Sequence, residues 1–577
     1  MSIMRLQKRP AIWRIYALAG LFFLIELTIV ARLFSLQILK HDFYVAQALE
    51  QRQFTTTLVP NRGEIFSRDK FNELYPLVIN KKFNLLFAVP KDVEEPLETA
   101  KKLSQAAGLS EDEVLNVLNK KSDPYEPLKH KIDDELARRI DDLDLKGVGF
   151  APEIVRYWPE QNLASQLTGY FGFKNGIENG QYGLEEFYEQ ELRGSSGTFE
   201  GEKDTQGYWI AAGERNVSPA KDGGNLILTI DRNIQFKAEE KLKEAVEKHQ
   251  AEGGTIIVME PKTGNILALA SVPNFNPNEY QKADVGLFKN PAVSNLFEPG
   301  SVFKAITMAA GLNEGKVEPN TVYEDKGEVR FGGYVIKNSD YKAHGEQTMT
   351  QVLEKSLNTG AIFVQNQLGR EPFKNYLKEF GFNEKTGIDL MGEIKSDISN
   401  LEKKGEARDI NFATASFGQG VAVTPIALLR AFGALANGGN LVKPRVVDEI
   451  VREGGDSKKI ETVTVRRVIS ESAASRITAM LISAVRNGYG RHAGVPGYFV
   501  AGKTGTAQVP APDKKGYSDK TIHSFVGFAP AWNPAFVILV KLDNPQGVRF
   551  AETSAAPVFK EVASFILNYY EIPPDEK

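Results

Sequence analysis

A chain of 577 residues with 42% hydrophobic and 25% charged content has the composition of globular protein and length enough for several domains. A formal net charge of −4 gives no nucleic-acid surface, and zero cysteines exclude disulfides and thiolate metal sites. The lack of cysteine suits an exported protein without fixing the compartment.

Residues 15–31 are almost wholly apolar, and apolar character resumes after Arg32 as far as Leu39, enough to span a bilayer. The nearest small-x-small site, Ala46-Gln47-Ala48, lies well beyond the apolar run, which favours an uncleaved anchor over a signal peptide. Arg5, Lys8, Arg9 and Arg14 precede the span, so the N-terminus is expected in the cytoplasm and the bulk of the chain outside. Glu26 is an acid near mid-membrane with no basic partner one turn away. Two readings stand: it is protonated, or another chain supplies the partner.

From Phe43 to about Ser218 the sequence mixes short strands, charged helices and turns. Ser104 to Leu118 has helical periodicity with Ser110 as its cap. This half shows no metal cluster, no hydrolase nucleophile elbow and no phosphate loop. It reads as a spacer or binding module, and Asn216 to Gly224 as the linker that ends it.

Beyond the linker, Leu226 to Ile230 reads as a strand and Asn233 to Gln250 as a charged amphipathic helix. The apolar runs Gly254 to Glu260 and Asn265 to Ala270 flank Pro261-Lys262-Thr263-Gly264, a hairpin signal. Ser524 to Phe528 and Ala535 to Val540 flank Pro530 to Pro534 in the same way. An antiparallel sheet built from the two ends of the domain, with helical sequence between and a last helix over Pro557 to Tyr570, makes the class α+β.

Three polar motifs punctuate this half. In Glu298-Pro299-Gly300-Ser301-Val302-Phe303-Lys304 the Pro-Gly turn precedes an apolar helical run, which places Ser301 at the helix start with Lys304 on the same face. Burial lowers a lysine's pKa and makes it a general base for a serine nucleophile; the rival reading is a helix cap followed by a snorkelling lysine. Ser356-Leu357-Asn358 follows a helical stretch, and Lys503-Thr504-Gly505-Thr506 follows Tyr498 to Ala501, a strand-like run. Gly497 to Thr504 also satisfies the phosphate-loop pattern Gly-x-x-x-x-Gly-Lys-Thr. Its four variable positions are strand-like and the Pro-containing segment after it opens no helix, so nucleotide binding is rejected.

Ser-x-x-Lys, Ser-x-Asn and Lys-Thr-Gly in that order resemble penicillin-binding proteins and serine β-lactamases. With Arg62-Gly63-Glu64-Ile65-Phe66-Ser67-Arg68-Asp69, Arg156-Tyr157-Trp158-Pro159, the Gly183-Leu184-Glu185 stretch through Gly194, and Ala415 to Gly420 with Thr424-Pro425, the chain resembles a class B penicillin-binding protein, a monofunctional peptidoglycan transpeptidase. Ser67 stands where that family usually has Asp. The resemblance implies a cytoplasmic tail over 1–14, a transmembrane anchor over 15–39, an elongated dimerisation or pedestal domain over 40–220, and a serine β-lactamase-like transpeptidase domain over 225–570.

It further implies that Ser301 is the nucleophile, Lys304 the base, Ser356 a proton relay and Asn358 a holder of the substrate amide. Lys503 supplies positive potential, Thr504, Gly505 and Thr506 line the carboxylate site, and backbone N–H groups of Ser301 and Thr506 form the oxyanion hole. No cofactor and no metal are implied, and the six histidines lack ligand spacing. Implied partners are stem peptides, β-lactam antibiotics, the bilayer, and a membrane glycosyltransferase of the shape, elongation, division and sporulation family, met through Glu26. The localisation implied is a single-pass inner or plasma membrane protein with an extracytoplasmic catalytic domain. The short stretch before Ser301 leans towards a septal role. Rival readings are a β-lactamase, a D,D-carboxypeptidase, an elongation enzyme and a silent division scaffold. For a deacylating acid, Asp389 and Glu393 lie in the intervening region with nothing that ties them to the site.

Overall fold

A computed structural model describes residues 12–203, 209–210, 215–331, 333–403, 407–511 and 516–576. The chain forms two compact units, Met1–Asn61 with Gly194–Asp222, and Arg62–Arg193 with Gly223–Lys577.

In the first unit a helix over Ile12–Phe34 runs through a π-turn at Ser35–Leu39 into a second helix, His41–Arg52. Ile12–Leu39 is long and apolar enough to cross a membrane, and Glu26 lies exposed on it. Of the basic residues before the span, Arg5, Lys8 and Arg9 fall outside the described residues. Gln53–Leu58 pairs antiparallel with Gly197–Glu202, which pairs in turn with Asn216–Ser218. The first residues of the expected linker are therefore strand, because their backbone groups find partners at Thr198–Glu200.

The second unit holds a seven-stranded sheet. Its strands are β1 (Ile65–Arg68), β2 (Leu74–Ala88), β3 (Glu126–Ile132), β4 (Val148–Tyr157), β5 (Asn225–Asp231), β8 (Val447–Val451) and β9 (Ser457–Lys459), in the order β9-β8-β5-β1-β2-β3, with β4 also on β2. Strands from both sides of the 220–225 boundary thus share one sheet, with β5 parallel to β1. The predicted helix over Ser104–Leu118 is two helices, Pro96–Ala107 and Glu111–Leu118. Gly108, at φ 64°, ends the first in the left-handed region that favours glycine, and the Ser110 hydroxyl caps the second through Glu113 N–H.

A five-stranded antiparallel sheet carries the rest. It combines β6 (Gly253–Met259), β7 (Ile266–Val272), β10 (Ala501–Pro510), β11 (Tyr517–Ala529) and β12 (Phe536–Asp543) in the order β7-β6-β12-β11-β10. The two predicted hairpins meet as β6 against β12, as a sheet made from the ends of the domain requires. Along β6, Ile256 and Val258 face helices α1 (Arg232–Lys248) and α4 (Ala555–Tyr569) in a core with Leu242, Phe559 and Ile566. Ile257 and Met259 face the opposite core with Ile306, Leu428 and Phe432. Burial on both faces explains why these strands read as unbroken apolar runs and not as alternation. Strand β10 begins at Ala501 and not at Tyr498. Residues 498–500 are tied elsewhere: Tyr498 N–H donates to Val495 O, its hydroxyl to Ile572 O, and Phe499 O accepts from Ala531 N–H. Lys503-Thr504-Gly505-Thr506 therefore lies inside an edge strand, with one side unpaired in the sheet.

Candidate active site

Ser301 lies in a 3₁₀ turn, Gly300–Phe303, that continues into helix α2 (Lys304–Asn313). The Lys304 N–H donates to Ser301 O, so the two residues stand one tight turn apart. Gly300 has φ +57°, its N–H donates to Gly418 O at 3.0 Å, and a Cβ on Gly418 would lie 2.2 Å from Gly300 O. That approach leaves no room for a side chain at Gly418, within the Ala415 to Gly420 stretch. The turn also rests on β10, where a Cβ at Gly505 would lie 2.9 Å from Pro299 O and 3.0 Å from Val302.

The turn leaves Ser301 partly open while Lys304 is 1% exposed. Helix α2 is buried from Lys304 to Leu312, so the lysine does not reach the surface and the snorkelling reading fails. Lys304 Nζ donates to Ser356 O at 2.5 Å and to Ser356 Oγ at 3.2 Å. Lys503, 2% exposed, donates from Nζ to the same Oγ at 3.0 Å and to Thr504 O at 3.2 Å. Ser356 sits between Met349–Glu354 and helix α3 (Asn358–Leu368) with φ 54°, a strained value for a non-glycine residue. The two flanking elements fix Ser356 there, with its hydroxyl between the Nζ atoms of Lys304 and Lys503. Among the described residues no carboxylate pairs with either lysine. Burial drives Lys304 well below the ordinary lysine pKa, and the nearby charge of Lys503 lowers it further. Burial lowers Lys503 to about 7.

Asn358 opens helix α3, and its amide donates to Lys337 O at 2.8 Å, which leaves Oδ1 as an acceptor. Thr504 and Gly505 are buried and Thr506 is half-buried, with its Oγ1 accepting from Ala551 N–H at 3.1 Å. The structure therefore brings Ser301, Lys304, Ser356 and Lys503-Thr504-Gly505-Thr506 together around one turn, with Asn358 beside Ser356. Glu26 belongs to the other unit. Asp389 is occupied by Val446 N–H, Val447 N–H and the Tyr188 hydroxyl, and Glu393 by the Thr386 and Gly387 amides.

Two supports had no role assigned from the sequence. Asp325 accepts from Asn338 Nδ2 at 3.0 and 2.9 Å and from Thr359 Oγ1 at 2.7 Å, pinning the start of α3. Glu298 accepts from Gly420 N–H and from the Tyr517 hydroxyl, each at 2.9 Å, joining the Ser301 turn to two other segments. Burial raises the pKa of Glu298.

Comparison with known proteins gives the family. Residues 254–564 match the penicillin-binding protein transpeptidase domain. The chain belongs to that family. Residues 57–228 match the penicillin-binding protein dimerisation domain, so this is a penicillin-binding protein of class B. It is 37% identical over 508 residues to stage V sporulation protein D of Bacillus subtilis, covering 86% of this chain and 77% of that one. It is 30% identical over 553 residues to a probable peptidoglycan D,D-transpeptidase, PenA, of Neisseria meningitidis, covering 95% and 91%. Among solved structures it resembles penicillin-binding protein 3 of Mycobacterium tuberculosis complexed with aztreonam, with TM-score 0.68, 26% identity, and 90% and 98% coverage. The three N-domain motifs of this penicillin-binding protein converge. Arg62 and Arg156 both donate to Glu185, which is fully buried, at 2.8 Å from each Nε, and Arg62 also reaches Glu189 at 2.6 Å. Ser67, in place of the usual Asp, is fully buried and donates to Tyr75 O across β1 and β2.

Proposed function

We infer that the protein is a peptidoglycan D,D-transpeptidase acting through a serine acyl-enzyme. One observation carries this reading: a serine hydroxyl held between two buried, carboxylate-free lysines, one of them a turn from a half-open serine. Such lysines share few protons near neutrality, so Lys304 can take the Ser301 proton as Oγ attacks the penultimate D-Ala carbonyl. The proton passes through Ser356 to the departing D-Ala amine, the peptide C–N bond breaks, and an ester on Ser301 remains. An acceptor amine then attacks that ester. A new amide forms, and the displaced Ser301 oxygen regains a proton by the same relay. Ser301 and Thr506 N–H groups would hold the developing oxyanion, a contribution of about 3 kcal/mol per donor. The unpaired side of β10 offers backbone groups to an extended stem peptide. Asn358 Oδ1 would accept a substrate N–H, while Thr504 and Thr506 hydroxyls would take the terminal carboxylate.

A β-lactam would acylate Ser301 in the same way, with its leaving amine tethered to the adduct. The test is labelling with a fluorescent penicillin. The native chain should label stoichiometrically and Ser301→Ala not at all; absence of label on the native chain would favour the silent scaffold. Intact-mass measurement should show an adduct that outlasts many turnovers, and rapid return to unmodified mass would make the protein a β-lactamase.

The anchor reading places the N-terminus in the cytoplasm and the catalytic unit outside. Glu26 supplies the contact for a membrane glycosyltransferase; Glu26→Leu should weaken co-purification with that partner and leave labelling unchanged. A septal role follows from the short segment before Ser301. The similarity to a protein named for sporulation supports a second reading, in spore cell-wall synthesis. Depletion during vegetative growth separates them, since only a division enzyme leaves filaments.

A further inference from the structure

Strand β11 carries a histidine that the catalytic relay does not use. His523 is fully buried and stands directly opposite Thr506 in the β10–β11 register, so the two side chains leave the sheet on the same side. Both ring nitrogens have hydroxyl partners: Nδ1 lies 2.8 Å from Ser554 Oγ and Nε2 3.2 Å from Thr521 Oγ1. Ser554, 1% exposed, precedes α4, and its N–H donates to Ala551 O at 3.3 Å, closing the short turn Ala551–Thr553. That turn's first N–H is the group that donates to Thr506 Oγ1 at 3.1 Å. A hydroxyl that accepts from a backbone N–H points its own proton elsewhere, which readies Thr506 to donate to an anion. Burial lowers His523 to about 4, so the ring is neutral and offers one donor and one acceptor.

We propose that His523 is a positioning residue for carboxylate recognition: through Ser554 it holds the Ala551 turn, and the turn aims the Thr506 hydroxyl at the substrate's terminal carboxylate. The inference rests on the reading that Thr506 receives that carboxylate. A histidine that merely filled the core would be replaceable by leucine at equal cost to every substrate. One that acts through Thr506 is felt only by ligands that bear the carboxylate.

The experiment measures second-order acylation rates of the full-length protein in detergent with a penicillin and with its methyl ester, which lacks the anionic group. Thr506→Val should lower the acid-to-ester rate ratio about tenfold, the loss of one hydrogen bond to a charged group. His523→Leu should lower the same ratio by a similar factor with the ester rate within about twofold of native. The double variant should show no further loss, as expected for residues acting in one chain. His523→Asn, whose amide can meet Ser554, should recover much of the ratio. Should His523→Leu fail to fold, Ser554→Ala takes its place with the same expected direction. Equal loss for acid and ester in these variants would overturn the inference. So would an unchanged ratio in His523→Leu beside a lowered one in Thr506→Val. An unchanged ratio in Thr506→Val would instead overturn the carboxylate reading of Thr506, and the inference with it.

Discussion

The Arg62–Arg156–Glu185–Glu189 cluster and the Lys304–Ser356–Lys503 cluster both bury positive charge in one compact unit, but only the first supplies carboxylates. Arg62 loses solvation on burial, yet Glu185 and Glu189 outweigh that loss and raise its pKa. Arg156, more deeply buried, is lowered by desolvation with Glu185 opposing, and an arginine stays charged regardless. Among the described residues the lysines meet only hydroxyls and carbonyls, and both are lowered. Lysine is the cation that gives up its proton when desolvated. Buried charge with a counterion is structural; without one it is reactive.

Four changes test that contrast. The largest effect is expected from Lys304→Arg, which keeps the long stem but stays protonated: acylation by penicillin should fall about 10³-fold or more, the range of general-base catalysis. Substantial labelling of the Arg variant would mean that Lys304 acts only as a charge.

In the other cluster, Arg156→Met leaves Glu185 with one arginine fewer and should cost about 3–5 kcal/mol of stability. Labelling of the folded protein should be unchanged, and denaturant unfolding beside a labelling assay would read both. A loss of labelling without loss of stability would contradict the division of roles.

The third test is pH. Lys503 titrates near 7 when folded and near 10.4 when unfolded, so between those values the unfolded chain binds more protons. Stability contributed by this site therefore rises with pH from about 7 to 10 and is flat below. The denaturation midpoint of the native protein relative to Lys503→Met should climb across that window. A flat difference would show that Lys503 stays charged.

The smallest effect belongs to Tyr517→Phe, which frees one oxygen of Glu298 on the segment leading to Ser301. One neutral-to-charged hydrogen bond at the edge of the site is worth about 1–2 kcal/mol, so acylation should slow roughly five- to thirtyfold. An unaltered rate would confine Glu298 to its contact with Gly420.

The parts legible in sequence were those with local rules. Hairpin turns at Pro261–Gly264 and Pro530–Pro534 announced β6, β7, β11 and β12, and the three motifs named the groups around Ser301. What stayed hidden depends on distant partners. Gly108 splits a helix whose apolar period continues across the break, because the left-handed turn is a backbone event that periodicity does not register. The start of β10 was set three residues early, since Tyr498 and Phe499 have strand composition but spend their backbone on Val495 and Ala531. Asp325 stands in an unremarkable context, Glu298 is visible only as the head of the Ser301 motif, and His523 only as a histidine on a strand near Lys503; the fold alone shows what each one meets. The shared sheet of β5 and β1 was equally illegible, because nothing local tells a strand which edge to join.

The sheet order has a consequence for how the protein is made. Strand β6 lies between β7 and β12, and β12 is among the last elements of the chain. Ser301 and Lys304 are synthesised long before Lys503, and the strand that carries Lys503 has no neighbour until β11 follows. Closing such long loops is slow, and the apolar β6–β7 hairpin must wait with one edge open. A nascent chain released before β12 would hold a serine and its lysine without an enclosing sheet, while presenting an aggregation-prone edge. Until β12 has been made the sheet behind the reactive pocket cannot be complete, so quality control that samples penicillin labelling reads completion of the entire sheet.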